Sequence, residues 1–352
     1  AYYSIKEAVE AINAIEGTEE QTITILRDLN ITGTSETAEI AEGKNIIIDL
    51  DGHKIKSTLP NMIVNRGNLT ITDNKQTGSI EITLTGTSSE YAVGIKNEAT
   101  GTMTINNNIT IDVKGSYMRG IQNEGTINIE NTNLKTNVEG AIYNTGVVNI
   151  NNSRLSSTLV NSSNNMQEVT IILNRRGTTN INGVTTKYAN IGIYDYEDAG
   201  EINITGENTC ENTLLRTIAT STTNSGGKIN ITDATIQSTG SSNLIYGEKG
   251  TLTIRNSNLT STGRIIYASS YYINRNYFTA NGMNTVIENS TLETTGNSNT
   301  IFYRTEGSLN IKDSNVYNNY NGGRAIDIGN KTNLTIEGNS NIKATGTNSY
   351  GI

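Results

Sequence analysis

The stretch "GAIYNTGVVNINNSRL", residues 140–155, decides the fold class of this chain. Its apolar residues Ile142, Val148, Ile150 and Leu155 stand among Asn, Thr, Ser and Gly. Val148 and Ile150 alternate with polar neighbours at a period of two, which is typical of a β-strand with one buried face and not of a helix.

The stretch is one copy of a repeat with the consensus Gly-x-Φ-x-Ile-x-Asn/Asp-Ser/Thr-x-Φ, where Φ is apolar. One copy is too short to bury a core, whereas stacked copies bury a continuous apolar column, so the repeat predicts a β-solenoid of roughly a dozen turns. The copies begin at Gly101, Gly125, Gly146, Gly200, Gly227, Gly250 and Gly307.

Asparagines recur at a fixed place before the repeat glycine, at Asn65, Asn123 and Asn144. Adjacent turns of stacked strands lie about 4.8 Å apart, which allows side-chain amides to hydrogen-bond from turn to turn. We therefore expect a structural ladder of asparagines at one corner of the solenoid.

The composition agrees with a thin solenoid, because 34% hydrophobic residues and no Trp would underfill a globular core of 352 residues. The net charge of −8, without a cluster of Lys or Arg, argues against nucleic acid and anionic membranes as partners. No apolar run approaches the length of a membrane span. The single cysteine, Cys210, is expected to be a buried, inert thiol.

The two ends of the chain predict different structures. In "SIKEAVEAINAIEG", residues 4–17, Ser4 and Glu7 form a capping box before an amphipathic helix that ends near Gly17. We expect residues 1–42 to hold this capping helix with the first strands, and residues 43–352 to form the solenoid. The last residues, "NSYGI", match the middle of a repeat, so the chain is expected to stop inside a turn.

The segments "TITILRDLNITG" (22–33), "GKNIIIDLDGHKI" (43–55) and "GNLTITDNKQTGSIEI" (67–82) resemble the pectate-lyase-like, right-handed parallel β-helix regions of large cell-surface proteins of Gram-positive bacteria. The resemblance extends over nearly the whole chain and implies an all-β, right-handed parallel β-helix. It also implies a non-catalytic, extracellular role as a surface adhesin or as a stalk or spacer.

The same fold carries polysaccharide lyases and glycoside hydrolases, which is the alternative function. Hydrolases need clustered aspartates, and the one histidine, His53, has no neighbouring ligands in the sequence. The densest acidic group is Asp195, Glu197 and Asp198, which we interpret as a solvated corner and only secondarily as a metal site. We predict no catalytic residue, bound metal or cofactor.

A tyrosine follows the apolar residue of the strand before the glycine in five turns. Alternation along the strand points these side chains outward, where they form either a strip that binds sugars or rings that pack on one another. The five residues are Tyr143, Tyr194, Tyr246, Tyr267 and Tyr303, of which we expect the last three to stack on successive turns.

A loop insertion at residues 269–282 adds further aromatic residues and an arginine near this strip. Loops on a rigid scaffold often carry binding residues, so a glycan or another ligand on a host or neighbouring cell is the expected partner. The candidate residues of the loop are Tyr271, Tyr272, Arg275 and Tyr277. A third possibility, ice binding by outward threonines such as Thr70 and Thr104, is weakened by charged residues in the array.

Overall fold

The computed structural model describes residues 2–33, 35–163, 165–195, 200–219, 226–269, 272–273, 276–277 and 282–352, with backbone alone at 194–195, 218–219, 272–273 and 276–277. The chain divides into two compact units. Unit 1 holds Ala1–Leu173 and Gly177–Thr179, and unit 2 holds Asn174–Arg176 and Asn180–Ile352. Within the described ranges there is one helix, and all other regular structure is β-strand.

The elements follow in chain order. The first are α1 (Ile5–Asn13), β1 (Glu20–Thr24), β2 (Leu29–Ile31), β3 (Ala38–Ile40), β4 (Asn45–Asp49), β5 (Lys54–Ser57), β6 (Ile63–Asn65), β7 (Asn68–Thr72), β8 (Ser79–Thr85), β9 (Ala92–Asn97), β10 (Thr102–Ile105), β11 (Thr110–Ser116), β12 (Met118–Asn123), β13 (Thr126–Glu130), β14 (Asn133–Thr136), β15 (Ile142–Asn144), β16 (Val147–Asn151), β17 (Arg154–Ser157) and β18 (Val169–Asn174). They are followed by β19 (Thr178–Asn182), β20 (Thr185–Lys187), β21 (Ala189–Asp195), β22 (Glu201–Glu211), β23 (Leu215–Ala219), β24 (Gly227–Ser238), β25 (Ile245–Gly247), β26 (Gly250–Arg255), β27 (Asn258–Ser261), β28 (Ile266–Ser269), β29 (Tyr272–Ile273), β30 (Asn276–Tyr277), β31 (Met283–Glu288), β32 (Thr291–Thr294), β33 (Ile301–Arg304), β34 (Gly307–Lys312), β35 (Asn315–Asn318), β36 (Ile326–Ile328), β37 (Thr332–Glu337) and β38 (Asn341–Ala344).

Unit 1 is a parallel β-helix whose turns each contribute a strand to three ladders. The first ladder runs β1, β4, β7, β10, β13, β16. The second runs β2, β5, β8, β11, β14, β17. The third runs β3, β6, β9, β12, β15. The strands before residue 43 therefore pair directly with strands after it.

Unit 2 repeats this construction. Its first ladder includes β22, β24, β26, β31, β34 and β37, and its second includes β20, β22, β24, β27, β32, β35 and β38. β22 and β24 belong to both, with a register shift between Ile204 and Gly206. The third ladder is β21, β23, β25, β28, β33, β36. The predicted all-β parallel β-helix is confirmed.

The core of each unit is a stack of identical rows. In unit 1, Ile71, Ile105, Ile129 and Ile150 pair in register on successive turns, and each is at most 1% exposed. Burying a side chain of this size contributes about 1.5–3 kcal/mol, so the repeated row is the main source of stability.

The Asn/Asp-Ser/Thr pair of the consensus builds the corner between the first two ladders. Asn256 and Asn289 adopt left-handed backbone conformations, with φ of 49° and 48°, which Asn tolerates better than most residues. The Ser257 amide donates to Ser290 Oγ, and the Ser290 amide donates to Ser314 Oγ, each at 3.1 Å. Each corner therefore carries one residue for the bend and one that links it to the next turn.

The predicted asparagine ladder is present in unit 1 and is fully buried. Asn65 Nδ2 donates to Asn97 Oδ1 at 2.7 Å, Asn97 Nδ2 to Asn123 Oδ1 at 2.8 Å, and Asn123 Nδ2 to Asn144 Oδ1 at 2.8 Å. The repeat pattern did not predict Asn97 as a member of the ladder, because Asn97 stands four residues before its glycine instead of two. Buried amides are satisfied here by one another, which explains how the core accepts them.

The helix α1 begins as predicted and ends earlier. The Glu7 amide donates to Ser4 Oγ at 3.1 Å, and Ile5, Val9 and Ile12 are buried. The helix stops at Asn13, before Gly17, so Ile15 lies beyond it and is 50% exposed. Asn13 Nδ2 donates to the carbonyl oxygen of Glu39 at 2.7 Å, which fixes the helix to β3.

Candidate ligand-binding surface

Three aromatic rings stack on successive turns of the third ladder of unit 2. The register pairs Tyr246 with Tyr267 and Tyr267 with Phe302. The ring centroids of the first pair are 5.4 Å apart with planes at 17°, and those of the second are 5.0 Å apart with planes at 3°. All three rings are half-buried, and the residue before each is completely buried, so the rings lie on the outer face.

The prediction that Tyr303 belongs to this row is wrong. Tyr303 is completely buried, and its hydroxyl lies 3.0 Å from Thr285 Oγ1 and within hydrogen-bonding distance of two carbonyl oxygens, that of Met283 at 2.5 Å and that of Ser308 at 3.0 Å. Burial raises the pKa of Tyr303 well above its ordinary value.

The error is one of register. Tyr303 pairs with Ala268, and Ala268 pairs with Gly247, so its ring has small neighbours on the two preceding turns and room on the inside. Aligning "IFYR" with "IIYA" by their tyrosines shifts the strand by one residue, which exchanges the two faces. The third ring of the predicted strip is Phe302.

The stacking geometry also changes what the row offers to a ligand. Because neighbouring planes are nearly parallel and their centroids lie about one strand spacing apart, the rings face one another along the ladder. The outer side of the row therefore presents ring edges and the polar ends of Tyr246 and Tyr267 instead of three free faces. Mutual packing accounts for the rings, and the prediction of a ligand at Tyr246 and Tyr267 is untested.

Arginines, which the sequence analysis did not identify, surround the rings. Arg216 precedes Tyr246 in the same row, with its Cζ 5.4 Å from the ring centroid. Arg264 Cζ lies 5.5 Å from the Tyr267 centroid and 5.3 Å from that of Phe302. Arg304 Cζ lies 4.8 Å from the Phe302 centroid. Such cation–π contacts hold guanidinium groups in fixed places.

The row ends at a carboxylate shared by two arginines. Asp327 pairs with Phe302 in register and is nearly buried. Arg304 Nη2 lies 3.0 Å from Asp327 Oδ1, and Arg324 Nη1 lies 3.2 Å from Oδ2. One negative charge therefore meets two positive ones.

The hydroxyl of Tyr246 is held by a second carboxylate. Tyr246 Oη donates to Glu248 Oε1 at 3.0 Å. Burial, and then the neighbouring Glu248 charge, raise the pKa of Tyr246 to about 12. The phenol is therefore a neutral, fixed hydrogen-bonding group at physiological pH.

We call this region the aromatic–arginine surface. It comprises Arg216, Tyr246, Glu248, Arg264, Tyr267, Phe302, Arg304, Arg324 and Asp327. A sequence signal for part of it exists, since Arg stands three residues before the row position in both "RIIY" (264–267) and "RAID" (324–327).

The remaining candidates fall largely outside the described residues. Tyr271, Arg275, Glu197 and Asp198 are not described, and of Asp195, the last residue of β21, only the backbone is. Tyr272 and Tyr277 pair across the short antiparallel hairpin of β29 and β30, which follows β28 directly in the chain. Within the described ranges, no group of three or more His, Cys, Asp or Glu side chains is placed to hold a metal ion.

The outward row proposed for ice binding forms amide ladders in unit 2. Asn203 Nδ2 donates to Asn180 Oδ1, and Asn230 Nδ2 donates to Asn203 Oδ1, both at 2.9 Å. Further along the row, Thr253 is followed by Val286. These residues do not form the flat threonine array that ice binding uses.

Comparison with known proteins gave structural neighbours only. No family model and no curated protein matches the chain. Solved structures similar to it include the catalytic unit of a thermostable GH87 α-1,3-glucanase from Streptomyces thermodiastaticus, with 10% identity, 100% of this chain and 68% of that chain covered, and a TM-score of 0.49. The A-module of the mannuronan C-5 epimerase AlgE6 from Azotobacter vinelandii has 13% identity, with 98% and 94% covered and a TM-score of 0.35. The PL6 family alginate lyase AlyGC has 8% identity, with 99% of each chain covered and a TM-score of 0.18. At these identities and scores, no activity is carried over to this chain.

Proposed function

We propose that this chain is a non-catalytic carbohydrate-binding β-helix that serves as an adhesin, stalk or spacer on a bacterial cell surface. The observation that supports binding is the stacked row of Tyr246, Tyr267 and Phe302 with arginines held against it. No other outward row of described residues combines a continuous ring stack with so many hydrogen-bond donors.

The donors suit a sugar polymer for two reasons. Guanidinium groups donate to hydroxyl and carboxylate oxygens in fixed directions, and stacking on a ring reduces the entropy lost when they bind. The row also extends along the solenoid, because its members come from successive turns. A linear glycan lying along the ladder meets a new side chain about every 4.8 Å.

An extracellular location follows from this proposal and from the resemblance to cell-surface proteins. Among the described residues, no helix is long and apolar enough to cross a membrane. A glycan on a host or neighbouring cell is the proposed partner.

The experiment is a retention assay on immobilised polysaccharides, both neutral and acidic, with the folded wild type and two variants. Tyr267→Ala removes the central ring, and we expect it to lower retention. Tyr317→Ala, on the outer face of β35, removes a half-buried tyrosine of the same unit away from the row and is expected to bind as the wild type does. Equal loss in both variants, or no retention of any polysaccharide by the wild type, contradicts the proposal.

A polysaccharide lyase or glycoside hydrolase is the alternative, because carboxylates of Glu248 and Asp327 lie beside the rings. Both have structural partners: Glu248 accepts from Tyr246, and Asp327 is paired with two arginines. We expect neither unsaturated products nor new reducing ends from polygalacturonate, with or without Ca²⁺. Product formation that is lost when Glu248 and Asp327 are changed to Gln and Asn, or when Asp195, Glu197 and Asp198 are together changed to alanine, would establish the enzyme.

A further inference from the structure

We propose that the ligand of the aromatic–arginine surface is an acidic polysaccharide, recognised through Arg216 and Arg264 by the carboxylate or sulfate groups it carries. This inference rests on the proposed function and specifies its ligand class. It assigns recognition to the arginines and gives the rings the task of positioning them.

Arg216 and Arg264 have N–H donors that the described residues leave without acceptors. A guanidinium has five N–H donors. Arg264 has one long hydrogen bond, from Nη1 to Asn243 Oδ1 at 3.4 Å, and its buried Nε has no partner among the described residues. Arg216 lies over the Tyr246 ring and forms no hydrogen bond or ion pair with any residue that the structure describes. Both groups are partly exposed and able to take an oxyanion.

The aromatic–arginine surface carries more arginines than carboxylates among its described residues. Arg216 and Arg264 have no carboxylate partner in the described part of unit 2, and Arg304 with Arg324 shares the single charge of Asp327. This excess of positive charge stands out on a chain whose net charge is −8. A local field of one sign attracts polymers of the opposite sign and repels other acidic surfaces.

Three of the arginines lie at a regular interval along the ladder. Arg216 lies on the turn of β23 at the row position, and Arg264 and Arg324 lie on the turns of β28 and β36, each three residues before the row position. The three therefore recur on every second turn without being in register. Two strand spacings are about 9.6 Å. This step is close to the length of a disaccharide unit, so charged groups on alternate sugars of an extended chain meet successive arginines.

The test compares polymers that differ in charge alone: dextran with dextran sulfate, and polygalacturonate with its methyl ester. We expect the wild type to bind dextran sulfate or polygalacturonate at least about tenfold more tightly than the neutral counterpart, and to lose this binding as salt rises. The two acidic probes distinguish sulfate from carboxylate recognition.

The decisive variant is the double change Arg216→Gln and Arg264→Gln, for which we expect at least about a tenfold loss of affinity for the acidic probe. The matched control changes the exposed Arg27 and Arg154 to Gln, which removes the same two charges elsewhere and should alter affinity less than about twofold. Melting curves of the variants check that each is folded.

The outcomes separate this inference from the proposed function. Equal binding of charged and neutral polymers, lost in Tyr267→Ala and kept in the arginine double variant, overturns the acidic ligand and leaves carbohydrate binding standing. Equal loss in the two double variants overturns the assignment to Arg216 and Arg264. Absence of binding to every polymer overturns both proposals.

Discussion

The third ladder presents the same backbone in the two units and very different chemistry on its outer face. In unit 1 the corresponding row is Val64, Lys96, Gln122 and Tyr143, with a single ring that is nearly buried. In unit 2 the row runs from Arg216 through the three rings to Asp327. The repeat determines where a side chain points. The residue type at that position varies from turn to turn, and the proposed binding depends on that variation.

Charge compensation is the sharpest difference. In unit 1, Arg66 Nε lies 2.7 Å from Glu98 Oε2 and its Nη1 lies 3.1 Å from Glu39 Oε2, while Lys96 Nζ lies 3.1 Å from Glu98 Oε1. Hydrogen bonds from Arg66 and Lys96 lower the pKa of Glu98. Each cation of this network thus has a carboxylate, whereas Arg216 and Arg264 of the aromatic–arginine surface have none among the described residues.

The inward-facing row of the third ladder also differs between the two units. The row that carries Asn65, Asn97, Asn123 and Asn144 in unit 1 is a ladder of amides. In unit 2, the third ladder has Gly247, Ala268 and Tyr303 next to its ring row. Small residues leave space there, and one tyrosine fills it.

The largest expected effect tests what the units share. Ile150→Asp in unit 1 and Ile254→Asp in unit 2 each place a carboxylate in a fully buried row, and each should cost at least ~3 kcal/mol of unfolding free energy. Chemical denaturation measures both. The exposed neighbour change Asn151→Asp is the control and should cost little. A unit that tolerates its aspartate would not have the proposed core.

The amide ladder comes next. Asn97→Ala breaks the hydrogen bonds of Asn97 with Asn65 and Asn123 and leaves buried amide groups unpaired, so we expect a loss of ~2 kcal/mol. Asn68→Ala removes an exposed amide that donates to Asn45 Oδ1 at 2.6 Å, where water replaces the bond, and the cost should stay below about 0.5 kcal/mol. Equal losses of unfolding free energy in the two variants would mean that burial does not make the Asn97 hydrogen bonds more important than the exposed Asn68–Asn45 bond.

These particulars show how far the sequence predicts the molecule. Alternation at Val148 and Ile150, the Asn/Asp-Ser corner and the capping box each act locally, so the fold follows from them. The surface does not, because Arg264 and Arg324 stand three residues before their row positions and Arg304 two residues after its ring, and they converge only when turns stack. Tyr303 was misplaced for a related reason, since a one-residue offset within "IFYR" is decided by the small neighbours on adjacent turns.

Neutralising one carboxylate in each unit tests whether the outer rows of the two units differ in their affinity for acidic polymers. Asp327→Asn releases Arg304 and Arg324, and we expect about a threefold gain in affinity for acidic polymers at a stability cost of ~1 kcal/mol, because both arginines are half-exposed.

The matched change in unit 1 is Glu98→Gln, which removes one carboxylate from Arg66 and Lys96, while Glu39 and Glu124 remain beside them. It should add positive charge without adding a ring stack, so the gain in binding should be smaller than for Asp327→Asn. Identical gains would show that net charge alone attracts the ligand, and that the rings contribute no positioning. Binding isotherms of both variants at two salt concentrations measure the two gains in affinity.

The smallest expected effect concerns the phenol that ends the ring row. Because the pKa of Tyr246 is about 12 in the folded chain and about 10 in an unfolded one, the unfolded state loses this proton first as pH rises. Stability from the neutral phenol is therefore complete below pH 10 and is lost as pH rises toward 12. The loss should be on the order of 1 kcal/mol, because the half-exposed ring is partly screened by solvent. Tyr246→Phe cannot ionise, so the difference in unfolding free energy between wild type and variant should shift across this window, while lysines and the other tyrosines titrate equally in both. If the unfolding free energies of wild type and Tyr246→Phe change in parallel with pH, then Glu248 and burial do not raise the pKa of the Tyr246 hydroxyl. That result would contradict the assignment of Tyr246 as a fixed hydrogen-bond donor at this end of the row.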